Sequence, residues 1–171
     1  MRGYVQVYTG DGKGKTTAAL GLAVRAAGAG RKVFIAQFVK SGQTSEIKAL
    51  ARLADQIRVE QFGTGRFIRG QAAAEDIRAA ERGLQRVGQI LRAGEFDIVI
   101  LEEAAVAVAL GLFTEKTLLE LIAGRPAHVE VVVTGRNAGP QLIAAADLVT
   151  EMKAVKHYYR QGVRARVGIE K

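Results

Sequence analysis

Residues 4–17 read Tyr-Val-Gln-Val-Tyr-Thr-Gly-Asp-Gly-Lys-Gly-Lys-Thr-Thr. The β-prone residues 4–8 run into a glycine-rich turn, and residues 15–29 leave it with apolar side chains at helical spacing. A strand, a turn with glycines at 10, 12 and 14, and a helix together make a cradle for an anion. The glycines let successive backbone N–H groups point at one centre, and the helix adds the positive end of its dipole. Lys15 is placed to reach a terminal phosphate, and Thr16 to offer its hydroxyl to Mg²⁺. The candidate nucleotide-binding run is therefore Thr9, Gly10, Asp11, Gly12, Lys13, Gly14, Lys15, Thr16 and Thr17. Against the general phosphate-loop pattern G-x-x-x-x-G-K-[ST], Thr9 stands where the first glycine belongs, so the loop is an altered form. The dinucleotide pattern fits worse. Its G-x-G-x-x-G is replaced by G-x-G-x-G, and the second strand carries Gln37 and ends near Lys40 without an acid for a ribose.

Outward from this stretch, residues 33–39, 57–62, 97–101 and 129–134 read as further strands, several of them nearly continuous apolar runs. Such runs belong to strands buried on both faces of a parallel sheet. Helical spacing covers residues 73–91, and shorter helices are expected at 45–54, 114–123 and 140–146. The alternation predicts an α/β fold: a three-layer P-loop NTPase-like (RecA-like) domain with a mostly parallel central sheet. No linker, repeat or shift in composition divides the chain, so residues 1–171 are expected to form a single domain.

Two other strand ends carry candidate chemistry. Residues 96–103 (FDIVILEE) end in Glu102 and Glu103, and ligands in parallel sheets gather at the carboxyl ends of strands. A carboxylate there is placed to hold Mg²⁺ opposite Thr16, with Glu103 preferred over Glu102; the alternative is that both acids only favour a following helix N-terminus. Residues 133–137 (VTGRN) put Arg136 where its fork of donors meets a phosphate, or else serves a structural ion pair. Neither His128 nor His157 has a serine partner or a metal-ligand spacing. Tyr158 and Tyr159 form either a stacking platform or the packing of a C-terminal segment.

Composition narrows the classes. At 171 residues, with 49% hydrophobic and 25% charged residues, the chain is globular rather than fibrous or disordered. It has no apolar run long enough to span a membrane, and no cysteine for disulfides, thiolate catalysis or metal thiolates. The start, MRGYVQVYTG, enters a strand-like pattern without a signal peptide, which predicts a cytoplasmic protein. A net charge of +8 favours an anionic partner, or merely solubility.

Taken together, YTGDGKGKTTAALGLAVRAAGAGRKV, AQFVKSG, FDIVILEE, RPAHVEVVVTGRNAGPQLIAAADLVTEMKAVKH and GVRARVGIE resemble, in order and over most of the chain, the P-loop-type ATP:corrinoid adenosyltransferases. These act on cob(I)alamin or cob(I)yrinic acid a,c-diamide, and the altered loop is similar to the family's own G-x-G-K-G-K-T-T. The resemblance implies transfer of the 5′-deoxyadenosyl group of ATP to the Co(I) of a corrinoid, with release of triphosphate. It further implies Mg²⁺, a nucleotide held in the reverse sense so that C5′ is exposed, and a homodimer. With neither cysteine nor a flavin motif, the electron is expected from an external reductant protein. Under this resemblance Lys15, Thr16 and Glu103 are the catalytic candidates, and Phe67 in the variable stretch 61–69 is the candidate for lying against the corrin. Glu102 stands where the family has Asp, and Ala104-Ala105-Val106-Ala107 stands where it has a polar, Asn-containing segment. The sequence resembles the short form, without the N-terminal extension that helps cover the corrinoid.

Two other classes compete. A nucleic-acid-stimulated ATPase would use Arg66, Arg69, Arg78, Arg82 and Arg86 as a phosphate track, but Glu75, Asp76 and Glu81 among them read as a solvated helix face, so no nucleic-acid partner is expected. A small-molecule kinase would release ADP rather than triphosphate.

Overall fold

The computed structural model describes residues 2–170. Six parallel strands form one sheet in the order β3-β2-β4-β5-β1-β6: β1 (Val5–Thr9), β2 (Val33–Phe38), β3 (Ile57–Phe62), β4 (Ile98–Glu102), β5 (Glu130–Thr134) and β6 (Leu148–Glu151). Helices α1 (Lys15–Gly28), α2 (Ser45–Leu50), α3 (Ala74–Ala93), α4 (Ala104–Ala109), α5 (Glu115–Ala123) and α6 (Pro140–Ala145) flank it, giving the three-layer arrangement of P-loop NTPases. Among the described residues no helix is long and apolar enough to cross a membrane.

The two-residue period of a strand sorts side chains onto the two faces. Phe34, Phe38, Val99, Leu101, Val131 and Val133 pack into one core together with Val87, Ile90 and Leu91 of α3 and Leu118 and Ile122 of α5. Val33, Ile35, Ile98, Ile100 and Val132 face the other way, onto Ala19, Ala23 and Ala26 of α1. The alanines let α1 lie close to the sheet, which fixes where its N-terminus, and hence the glycine-rich turn, sits.

Several boundaries shift from the sequence reading. The fourth strand does not stop at residue 101 but takes in Glu102. The stretch 45–54 is a short helix continued by a 3₁₀ turn at Ala51–Leu53. Helix α4 and strand β6 were not anticipated. The first is a six-residue alanine-rich segment with Ala104, Ala105 and Ala107 buried. The second is a four-residue edge strand whose residues are all exposed, so it lacks the apolar run of a buried strand.

Candidate active site

The glycine-rich turn, α1, α2, the residues that follow β4 and β5 and the C-terminal segment line an open cavity of about 640 Å³. Gly10 (φ 96°) and Gly14 (φ 124°) hold left-handed backbone that a side chain would strain. The turn is also pinned from below: the N–H of Gly12 donates to the carbonyl of Met152 at 2.6 Å, and the N–H of Met152 donates to the carbonyl of Thr9 at 2.8 Å. A Cβ at Gly12 would lie 2.7 Å from the Met152 carbonyl oxygen. Thr9, at the end of β1, accepts at Oγ1 from the N–H of Ala138.

Lys15 opens α1 and is only 8% exposed. Its Nζ donates to the carbonyls of Gly10 (2.5 Å) and Gly12 (2.8 Å), so the ammonium lies inside the loop. Burial, and after it the nearby Arg136 guanidinium, push this ammonium below its ordinary pKa. Arg136 is exposed on the turn after β5 and lines the same cavity. Two cations therefore converge with no carboxylate bonded to either among the described residues, which favours a multiply charged anion between them.

Strand parity decides which acid meets the loop. Ile98 and Ile100 lie against α1, and Glu102 continues that face. Its side chain is fully buried. Glu102 Oε1 accepts from Thr16 Oγ1 at 2.5 Å and from Lys40 Nζ at 2.6 Å, while Oε2 accepts from Gln37 Nε2 at 2.7 Å. Gln37 in turn accepts from Gln61 Nε2 at 2.9 Å. Glu103, the residue preferred from sequence, has left the strand in left-handed backbone (φ 57°), and its N–H donates to Thr134 Oγ1. Its carboxylate lines the cavity 4.0 Å from Lys40, and burial raises its pKa against the opposing pull of Lys40. Thr16 thus meets Glu102, with Glu103 at the cavity wall beside it.

Lys40 was not among the sequence candidates. It follows Val39, a β-branched residue held at φ 54°, and Gly63 comes so close that a Cβ there would lie 2.5 Å from the Lys40 nitrogen. Its signal in the sequence was its position just past β2, on the same side of the sheet as the other strand ends.

The remaining candidates lie apart from this centre. Asp11 and Thr17 flank the loop, Asp11 beside Arg136 in a second depression and Thr17 in the main cavity. Lys13 also lines the main cavity, but its ammonium is bonded to the C-terminal segment. Phe67 is 87% exposed with Arg69 over its ring at 5.8 Å, so it takes no part in core packing, and it does not line the cavity. Tyr158 packs within the C-terminal segment while Tyr159 is exposed. His157 Nδ1 accepts from the N–H of Tyr159, and His128 lies within 3.3 Å of the Gly94 carbonyl. Arg66 pairs with Glu75 at 2.7 Å and Arg86 with Glu60 at 2.9 Å, which neutralises two members of the arginine track.

Mg²⁺ takes hard oxygen ligands and binds through one or two protein side chains plus substrate phosphates. The hydroxyl of Thr16 and the carboxylate of Glu103, which both line the cavity, fit that donor set, whereas both oxygens of the buried Glu102 are taken by Thr16, Lys40 and Gln37. Among the described residues no three His, Cys, Asp or Glu side chains gather into an all-protein metal cage.

The family model described as ATP:corrinoid adenosyltransferase BtuR/CobO/CobP matches residues 1–170. A corrinoid adenosyltransferase of Pseudomonas aeruginosa is 38% identical over 99% of this chain and 84% of its own length. One from Escherichia coli K12 and the corrinoid adenosyltransferase CobA of Salmonella typhimurium are each 33% identical over 99% of this chain and 86% of their own lengths.

Proposed function

The chain belongs to the ATP:corrinoid adenosyltransferases, and on that premise we propose how its residues carry out the transfer. The enzyme moves the 5′-deoxyadenosyl group of ATP to a corrinoid. In the reaction we propose, the Co(I) of the corrinoid substrate attacks C5′ of the ribose. A Co–C bond forms, the C5′–O bond breaks, and its electron pair leaves with the triphosphate. No side-chain nucleophile and no general base are required. The protein supplies alignment and compensation of the charge that grows on the leaving group.

The observation that carries the site assignment is the bond from Thr16 to Glu102, which ties the glycine-rich turn to the acidic strand end. Lys13, Lys15 and Arg136, with the N–H groups of the turn other than that of Gly12, are assigned to the triphosphate. Thr16 and Glu103 would hold Mg²⁺, with Glu102 fixing the Thr16 hydroxyl from behind. When bound, Mg²⁺ supplies further neutralisation of the triphosphate charge. Gln37 holds Oε2 of the Glu102 carboxylate, and Lys40 shares Oε1 with Thr16, so the carboxylate is fixed through both oxygens. The nucleotide is read as lying in the reverse sense, with C5′ toward the corrinoid, and Phe67 on its exposed loop as one corrin contact.

We read the protein as a single cytoplasmic domain that works as a homodimer and receives its corrinoid reduced by another protein. The absence of cysteine supports the external reductant, and the dimer rests on the family alone. The test is anaerobic incubation with ATP, Mg²⁺ and chemically reduced corrinoid. A light-sensitive alkylcorrinoid should appear with one triphosphate released for each Co–C bond. ATP consumption that yields ADP and no alkylcorrinoid would overturn the reading.

A further inference from the structure

Lys13 projects from the glycine-rich turn, yet its ammonium is fully engaged by the far end of the chain. Nζ donates to Glu170 Oε1 at 3.0 Å, to the Ile169 carbonyl at 2.9 Å and to the Tyr158 hydroxyl at 3.2 Å. An ammonium has three protons, and all three are used. The acceptor at the centre is itself gathered by donors: Glu170 accepts from the Tyr158 hydroxyl and from Arg166 through its backbone N–H (2.9 Å), Nη2 (3.1 Å) and Nε (3.3 Å). Gly168, Ile169 and Glu170 thereby become part of the wall of the cavity that Lys15 and Arg136 also line.

The hold is polar rather than apolar. Val167 is 78% exposed and Ile169 54%, so little hydrophobic area fastens residues 163–170 to the domain. The ion pair itself is half-shielded, its lysine side chain 41% exposed and its glutamate 17%, and a pair that solvent reaches on one side is open to exchange with a competing anion. Because the chain tethers Glu170 to the domain, its carboxylate competes for Lys13 at an effective concentration on the order of millimolar.

We propose that Glu170 displaces the triphosphate product from Lys13. The inference rests on the triphosphate reading of the site. A phosphate oxygen can take a Lys13 proton only at the expense of one of its three acceptors in the C-terminal segment, and its charge competes most directly with that of Glu170. Binding of triphosphate therefore lifts the segment, and the return of Glu170 to Lys13 favours release of a highly charged leaving group that would otherwise linger in its cradle. Nothing is consumed in the exchange: one anion replaces another on the same ammonium.

The experiment uses the full chain and tripolyphosphate as the probe. Glu170→Gln should bind tripolyphosphate about three- to tenfold more tightly than wild type. Tyr158→Phe, which removes one donor from Glu170 and one acceptor from Lys13, should shift affinity in the same direction by less. Adding Lys13→Met to Glu170→Gln should abolish the gain, which separates competition for Lys13 from a general loss of negative charge. In wild type, tripolyphosphate should speed tryptic cleavage after Arg164 and Arg166. Unchanged affinity in Glu170→Gln, a gain that persists without Lys13, or cleavage that slows or stays constant would overturn the proposal. Failure of wild type to bind tripolyphosphate at all would overturn the reading of the site beneath it as well. Thermal melts of each variant verify that the affinities come from folded protein.

Discussion

Thr16 and Glu102, 86 residues apart in sequence, are joined by a hydrogen bond of 2.5 Å from the threonine hydroxyl to a fully buried carboxylate. Lys40 and Gln37 bond to the same carboxylate, so Glu102 is where α1, β2 and β4 meet. Removing it leaves Thr16, Gln37 and Lys40 without their shared acceptor, while Lys40 has a second carboxylate near, Glu103 at 4.0 Å. Glu102→Ala should destabilise the protein by about 2–3 kcal/mol, and Glu102→Gln by less, because an amide keeps one acceptor oxygen. Urea denaturation of the two variants measures the difference.

Lys15→Met should leave the far-ultraviolet spectrum unchanged and reduce adenosyl transfer at least about 100-fold. The helix keeps an unbranched side chain of similar length, while the triphosphate loses the cation most deeply enclosed by its loop. Steady-state rates at saturating ATP are the measurement.

Glu103 gives stability a pH dependence of definite sign. Burial lifts its pKa, so the folded chain retains this proton to a higher pH than the unfolded chain, whose ordinary value is 4.5. The contribution is complete below the unfolded value and is lost as pH rises through the folded one. Glu103→Gln should therefore resist denaturant better than wild type near neutral pH. The advantage should vanish as the pH falls below the ordinary carboxylate range. Parallel denaturation curves across that range test the sign.

Gly12→Ala sets a Cβ against the backbone of Met152 and Lys153, atoms that cannot rotate away. The expected cost is about 1–3 kcal/mol of stability, with weaker ATP binding even though every charged side chain of the site is intact. Isothermal titration beside thermal melts resolves the two effects.

Phe67→Ala should raise the KM for corrinoid about three- to tenfold and leave ATP affinity unchanged, since the ring is exposed and apart from the cavity. Equal loss for both substrates would remove Phe67 from the corrin surface.

Much of this was legible in the residues. The run from Tyr4 to Thr17 is a strand, a glycine turn and a helix start in both sequence and structure, and the buried strands announced themselves as apolar runs. What was missed follows from specific causes. Ending the fourth strand at residue 101 hid the parity that turns Glu102 toward Thr16; a charged residue inside a buried strand looks like the start of a loop until a partner is found for it. Strand β6 carries no buried side chain, so only its pairing with β1 makes it a strand. Lys40 lies 62 residues from its acid, and Lys13 lies 157 from Glu170; neither distance in sequence gives a local sign of the contact.

The position of β1 governs how this molecule is made. Its hydrogen-bonded neighbours are β5 and β6. The strand synthesised first thus has no partner until residues 130–151 have been made. For most of its synthesis a nascent chain carries the glycine-rich turn on an unpaired strand, without the Met152 backbone that pins it. The glycine-rich turn is therefore among the last parts of the molecule to close, and these sequence-distant pairings slow folding relative to a sheet assembled from neighbouring strands. Truncated products of interrupted translation should neither bind ATP nor hide the apolar face of β1, which marks them for removal rather than for partial function.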